Sequence, residues 1–166
     1  SCPGGMVHPL LDRLLSPLLH GGLLPVLRGP ARPALRRRDA PDRRWITLFL
    51  TNALRESWEE IRLSPCRVRF LGPLPTYSLS RFRTTIFPLA GFVERPGPLR
   101  PNREVEKIVD IPLRAFYQQE SFGCFSLAVS DPAGTQAPPA ERHPCLIHRG
   151  IDGTEEILWG ATLYIL

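Results

Sequence analysis

The sequence has no apolar run approaching the roughly 18 residues that cross a bilayer as a helix, so no membrane-spanning segment is expected. Its first residues lack the secretory pattern of a basic start followed by an uninterrupted apolar stretch. A cytoplasmic protein is the expectation. Cys2, Cys66, Cys124 and Cys145 are widely spaced and form no Cys-x-x-Cys pair, which argues against a zinc site. Free thiols, mostly packed in a core, are expected instead. His8, His20, His143 and His148 are scattered, with no cysteine or carboxylate at ligand spacing, and none is assigned a catalytic role. Ser57 lacks a Gly-x-Ser-x-Gly context, which argues against a serine nucleophile. No internal repeat is visible.

What remains is an ordinary globular composition. With 166 residues and 43% apolar residues, the chain suits a single domain with a proper core. The net charge of +5 is unevenly placed. Eight arginines stand against Asp12, Asp39 and Asp42 in residues 1–44, which accounts for the whole excess. The remainder is balanced, so the charge does not mark a nucleic-acid-binding domain. Arg36–Arg38 reads as a solvated run in a loop.

Along the chain, residues 1–44 read as an irregular, Pro/Arg-rich front segment, because seven prolines break any long helix. Two short apolar pieces survive there: a helix over His8–Leu19 interrupted near Pro17, and an edge strand over Leu23–Leu27. Residues 45–166 read as the folded domain. A helix is expected over Leu48–Arg62, stopped by Pro65. Strands are expected over Arg67–Gly72, over a buried Thr84–Val93 bent at Pro88, over Glu104–Ile111 and over Cys145–His148. Leu113–Gln119 reads as a short helix, Ser126–Arg142 as a polar loop, Asp152–Gly153 as a turn and Glu156–Leu166 as a final apolar segment. Trp45, Trp58 and Trp159 read as core or interface anchors. Tyr77 and Phe82, beside Arg81 and Arg83, read as a partly exposed loop or strand edge. Strands alternating with helices predict an α/β fold with a mixed sheet between helices.

The chemistry lies in the stretch from Ala53 to Leu63. On a helix, Glu56, Glu59 and Glu60 fall at i, i+3 and i+4 and share one face. Three close carboxylates repel one another and suit a hard divalent cation such as Mg²⁺ or Mn²⁺, which prefers oxygen ligands. Such a metal can bind diphosphate oxygens and activate water. Arg55 is placed to pair with Glu59 at i+4. A solvated acidic face is the plainer alternative on spacing alone.

Arg55-Glu56-Ser57-Trp58-Glu59-Glu60 matches the Arg-Glu-x-x-Glu-Glu core of the Nudix box, whose signature is G-x5-E-x7-R-E-U-x-E-E-x-G-U with U a bulky apolar residue. Thr51–Leu63 resembles the form found in coenzyme A diphosphatase-like members. Leu99-Arg100-Pro101-Asn102 with Glu104-Val105 and Ile111-Pro112-Leu113, and later Leu158-Trp159-Gly160-Ala161-Thr162, resemble two further segments of that branch in the same order. The resemblance, over residues 51–166, implies a Nudix-type α/β/α sandwich and a hydrolase of a nucleotide-type diphosphate substrate, with coenzyme A or an acyl derivative as candidates. It implies Glu56, Glu59 and Glu60 as metal ligands, one of them deprotonating the attacking water, and Arg55 as the residue that orients them. It also implies a further acidic ligand, for which Glu104 is the candidate, with Glu106 and Glu120 behind it. Members often dimerise, so a homodimer is an expectation of the same kind.

The front half of the box departs from the signature. Its glutamate position falls on Thr47, its first glycine on Pro41 and its second glycine on Arg62. Coenzyme A-type members carry a Phe-Pro-Gly-Gly segment shortly before the arginine. Here the Pro-Gly-Gly is Pro3-Gly4-Gly5, far upstream. Either an insertion separates these glycines from the helix, or the glycine segment is lost and Leu23–Arg28 is the first strand. The missing glycine and glutamate at Pro41 and Thr47, with the long irregular front end, favour the alternative of a nucleotide- or protein-binding relative without catalysis.

Overall fold

The computed structural model describes residues 2–21, 24–79, 83–127, 141–150 and 153–166. It divides into two compact units, Cys2–Ile108 and Val109–Leu166. Helices and small antiparallel sheets make up both, which is the expected mixture of α and β. No single mixed sheet forms among the described strands. Two two-stranded sheets and one three-stranded sheet form instead, and every pairing is antiparallel.

The first unit is dominated by its helices. α1 (Pro9–Leu15) and α2 (Pro17–His20) meet at Pro17, where the sequence predicted the interruption. The front segment is otherwise less irregular than expected. Pro25–Leu27 forms a 3-10 turn rather than an edge strand. Pro25 presets φ for the first turn of a helix and offers no N–H to a ladder. α3 (Ala31–Arg36) follows, and α4 runs over Ala40–Ile61 for 22 residues. α4 thus starts at Ala40 rather than near Leu48. Asp39 caps it, accepting from the Asp42 amide at 3.1 Å. Pro41 sits in the first turn, where a missing N–H costs nothing. The proline that argued against helix therefore belongs to the helix start.

β1 (Val68–Pro73) pairs with β4 (Leu89–Val93), and β2 (Tyr77–Leu79) pairs with β3 (Thr84–Ile86). The expected single buried strand over Thr84–Val93 is split at Phe87–Pro88 between two sheets, and it is not buried. Proline cannot continue a ladder, so the break falls where the bend was expected. Of Tyr77, Arg81, Phe82 and Arg83, expected as a partly exposed loop or strand edge, Arg81 and Phe82 lie outside the described residues. Residues 104–111 are irregular rather than a strand. Leu19, Val26, Leu27, Ala31 and Leu35 from the front segment share one buried cluster with Leu50, Leu54, Val68 and Phe70. The front segment is therefore part of this unit's core. Truncating a residue such as Leu54 to alanine costs about 2–5 kcal/mol at sites of this kind.

α4 ends on Arg62, which adopts the left-handed conformation (φ 59°, ψ 27°) while its amide bonds the Trp58 carbonyl at 3.1 Å. Helices commonly close on glycine in this conformation. This is the position of the signature's second glycine. Left-handed geometry costs a side-chain-bearing residue about 1 kcal/mol or more. The Arg62 guanidinium over the Trp58 ring, 5.6 Å from its centroid, returns about half of that. Arg62→Gly is therefore expected to raise stability by up to about 0.5 kcal/mol and Arg62→Val to lower it by more than about 1 kcal/mol. Urea unfolding of the two variants checks the order.

In the second unit β5 (Phe122–Leu127), β6 (Glu141–Arg149) and β7 (Glu155–Trp159) form a meander. The expected loop over Ser126–Arg142 is strand at both ends, and residues 128–140 lie outside the described residues. Leu113–Tyr117 and Gln119–Ser121 are 3-10 turns where one short helix was expected. The turn expected at Asp152–Gly153 is described only at Gly153, whose amide bonds the Gly150 carbonyl at 3.0 Å. Gly160 carries the chain from β7 into α5 (Ala161–Ile165) at φ 69°, ψ −153°, a conformation open essentially to glycine alone. Phe125 packs edge-on against Trp159, with centroids 5.0 Å apart. Of the two roles expected for Trp45, Trp58 and Trp159, core or interface anchor, the core role fails, because all three are substantially exposed. The expectation that the thiols are mostly buried fails as well. Of the four free cysteines only Cys145 is buried, at 1% exposure. No described helix is long and apolar enough to cross a membrane.

Candidate functional site

The site is built on the C-terminal half of α4 and three pieces of chain packed on it. Its centre is Arg55, whose side chain is only 11% exposed. Nε donates to Asp12 Oδ1 at 2.9 Å and Nη1 to Glu59 Oε2 at 3.0 Å. Nη2 donates to Asn52 Oδ1 at 2.8 Å and to Glu56 Oε1 at 3.0 Å. The expected Arg55–Glu59 pair is present. The shared helical face accounts for Asn52, Glu56 and Glu59. Burial works against the charge on Arg55, but the hydrogen bond and charge of Asp12, with Glu56 and Glu59, outweigh it and push the pKa further up.

Asp12 is fully buried. Its second oxygen, Oδ2, accepts from the His8 amide at 2.7 Å, so both carboxylate oxygens are used. α1 thus delivers a buried anion to the guanidinium from the far end of the sequence. The sequence reading missed this residue, because nothing local marks Asp12 as different from Asp39 or Asp42. It also missed Asn52, which spacing gives away: it lies three residues before Arg55 on the same face.

The second piece is Pro3-Gly4-Gly5. The Gly5 carbonyl accepts from Asn52 Nδ2 at 3.0 Å. A Cβ added at Gly5 would stand 2.5 Å from Glu56 Oε1, and the Gly4 backbone lies near enough to Glu60 to favour its charged form. Gly5, far upstream in sequence, therefore lies directly against the Glu56 carboxylate. The positions where the signature has its first glycine and its glutamate, Pro41 and Thr47, are inside the continuous helix. Thr47 is buried there, with its hydroxyl donating to the Arg43 carbonyl at 2.7 Å. The insertion account of the front half fits this arrangement, and the alternative first strand over Leu23–Arg28 does not form among the described residues.

The third piece is the stretch after Gly97. The Arg100 amide donates to the Ile61 carbonyl at 2.9 Å and the Asn102 amide to the Glu60 carbonyl at 2.7 Å. These bonds satisfy carbonyls that a helix C-terminus leaves open. Asn102 Oδ1 then accepts from the Glu104 amide at 2.8 Å. Glu104 is thereby held close enough for its charge to act on Glu60. Glu106 is exposed. Glu120 belongs to the other unit, in the turn Gln119–Ser121.

Burial first, and then the charges of Glu56 and Glu104, raise the Glu60 pKa, while the nearby Gly4 backbone opposes them. A carboxyl with a raised folded-state pKa contributes its full stability below the unfolded value and loses it as pH rises through the folded one. At neutral pH a charged Glu60 therefore costs stability. Glu60→Gln is expected to raise the Tm modestly at pH 7, with the gain fading as pH falls below the ordinary glutamate range. Thermal unfolding at pH 7 and pH 4 checks the sign.

Among the described residues no three His, Cys, Asp or Glu side chains converge as a finished ligand shell. Glu56 and Glu59 are turned onto Arg55 instead. The donor set nevertheless suits a hard divalent cation: Glu56, Glu59, Glu60 and Glu104 offer carboxylate oxygens only, and the glycine strip leaves room at Glu56 that a side chain would fill. No family model matches the chain, and no curated protein matches it.

Proposed function

We propose that this chain is a metal-dependent hydrolase that splits a diphosphate bond in a nucleotide-type substrate, built on a Nudix-type α/β/α sandwich, with coenzyme A or an acyl-coenzyme A as the first candidates. The observation that carries the reading is the packing of Gly5 on Glu56, on the same face where Arg55 gathers Glu56 and Glu59. Glu56, Glu59, Glu60 and Glu104 would hold Mg²⁺ or Mn²⁺. When bound, the metal would offset phosphate charge and lower the pKa of a coordinated water. Glu60, whose proton affinity is raised by burial and by the charges of Glu56 and Glu104, is suited to take a proton from the attacking water. Arg55, fixed by Asp12, holds the carboxylates in register. The backbone at Gly4 and Gly5 lets phosphate oxygens approach closely.

The test is release of phosphorylated products from coenzyme A, acyl-coenzyme A, NADH and ADP-ribose with Mg²⁺ or Mn²⁺. Turnover of at least one substrate is expected, abolished by a chelator. Glu59→Gln is expected to lower it roughly tenfold, since Glu59 is half exposed and shares its load with neighbouring carboxylates. Metal-dependent turnover unchanged in Glu59→Gln would sink the assignment. A second reading, a binding protein that has lost catalysis, is favoured by one observation: Glu56 and Glu59 are engaged by Arg55 rather than left open. Tight nucleotide binding without product, even at high protein concentration, would establish it.

A further inference from the structure

A cavity lies away from the carboxylates, at the other end of α4. It measures about 660 Å³ and is lined by Arg13, Ser16, Pro41, Arg43, Arg44 and Trp45, with Thr47 and Leu48 at its side. From Trp45 to Glu56 the helix axis advances about 16 Å at its usual rise per residue. The cavity is therefore a separate place from the acidic cluster.

Its charge is uncompensated. Arg13, Arg43 and Arg44 make no ion pair among the described residues. Arg43 Nη1 reaches only a neutral acceptor, the Arg38 carbonyl, at 3.3 Å. The nearby acid of the first helical turn, Asp42, is directed to Arg38 at 3.9 Å. Three guanidiniums around one concavity, beside the positive end of a 22-residue helix, attract a polyanion and fork onto phosphate oxygens. The aromatic component is equally open. Trp45 is 56% exposed, with Phe49 stacked beside it at a 5.9 Å centroid distance and Phe87 stacked on Phe49 at 4.2 Å. An exposed indole braced by two aromatic rings offers a planar surface to a base. The volume lies in the range of sites for small ligands.

We propose that this cavity is a second ligand site that takes a free nucleotide carrying two or more phosphates, with the phosphates on Arg13, Arg43 and Arg44 and the base on Trp45. The proposal stands apart from the reading of the carboxylate cluster, and its test is run without metal to keep the two separate. The full chain is titrated with ADP and ATP by calorimetry in excess chelator. Saturable binding is expected, tighter for ATP than for ADP and weaker for adenosine or inorganic pyrophosphate alone. The exposed residues Arg13 and Arg44 are then reversed singly, as Arg13→Glu and Arg44→Glu, each expected to weaken binding at least tenfold. Trp45→Ala is expected to weaken nucleotide binding while leaving pyrophosphate binding unchanged. Glu56→Gln with Glu60→Gln is expected to leave metal-free binding unaltered. Circular dichroism confirms that each variant is folded, and the salt dependence of the unmodified chain supplies a measure that needs no variant: affinity must fall steeply as salt rises. No binding in chelator at millimolar nucleotide, binding indifferent to salt or to both arginine reversals, or binding lost in the glutamate double variant would overturn the proposal. So would binding of a single-stranded oligonucleotide in preference to ATP, which would make the surface one for nucleic acid.

Discussion

Asp12→Ala is expected to destabilise the unit Cys2–Ile108 by about 2–3 kcal/mol, while Arg13→Ala, one residue away, changes stability by less than about 0.5 kcal/mol. The difference follows from burial. Asp12 is fully buried and both its oxygens are occupied, by Arg55 Nε at 2.9 Å and by the His8 amide at 2.7 Å. Removing one partner of a buried ion pair commonly costs about 3–5 kcal/mol, because the other charge is left in a poorly solvating place. The expected loss lies below that range because Arg55 keeps Asn52, Glu56 and Glu59 as acceptors. In thermal unfolding a loss of this size lowers the midpoint by on the order of 10 °C for a unit of this length. A double-mutant cycle with Arg55→Ala isolates the pair. Coupling above about 1 kcal/mol is expected, whereas strict additivity would mean that α1 and α4 are not joined through these side chains. The same variant should weaken any activity of the carboxylate cluster, because Arg55 would lose the anchor that fixes it against Glu56 and Glu59.

That pair marks the limit of what the sequence makes legible. The helix face of Asn52, Arg55, Glu56, Glu59 and Glu60 follows from a period of 3.6 residues, so the carboxylates and the Arg55–Glu59 contact are readable before any fold is known. The interruption of the first helix at Pro17 and the break at Pro88 follow from local chemistry as well. Asp12 does not, because its role depends on packing between α1 and α4, and burial of an acid is a tertiary property. The start of α4 is misread for the opposite reason. Pro41 looks like a breaker when counted with its neighbours, and only the Asp39 cap turns it into a first-turn residue. Residues 104–111 are misread as strand because alternation alone is short there. The chain just before them is instead tied to the end of α4 by the Arg100 and Asn102 amides. The sequence also leaves the place of Pro3-Gly4-Gly5 open, because its approach to Glu56 is a long-range contact that no local pattern marks.

Gly5→Ala is expected to reduce diphosphate hydrolysis by about 100-fold with little change in stability, and Gly4→Ala to be tolerated. The two glycines are adjacent in sequence and differ in what faces them. A Cβ at Gly4 meets nothing within 4 Å, whereas one at Gly5 would stand 2.5 Å from Glu56 Oε1 and 2.7 Å from its Cδ. The atom in the way is the end of a flexible side chain, so the clash is relieved by moving the carboxylate rather than the backbone. The fold therefore absorbs the substitution, with a cost below about 1 kcal/mol. The carboxylate moves by roughly the ångström that separates 2.5 Å from ordinary contact. Displacement of a positioned group on that scale is enough to cost about two orders of magnitude in rate. Glu56 would also lose its 3.0 Å bond from Arg55, leaving Arg55 to Asp12, Asn52 and Glu59. The measurement is steady-state hydrolysis of the best substrate, with thermal unfolding of both variants alongside. A Gly5→Ala protein as active as Gly4→Ala would show that the glycine strip does not shape the site. Equal loss in both variants would point to a general disturbance of the strip, and a large drop in the melting temperature would place the effect in the fold instead of in Glu56.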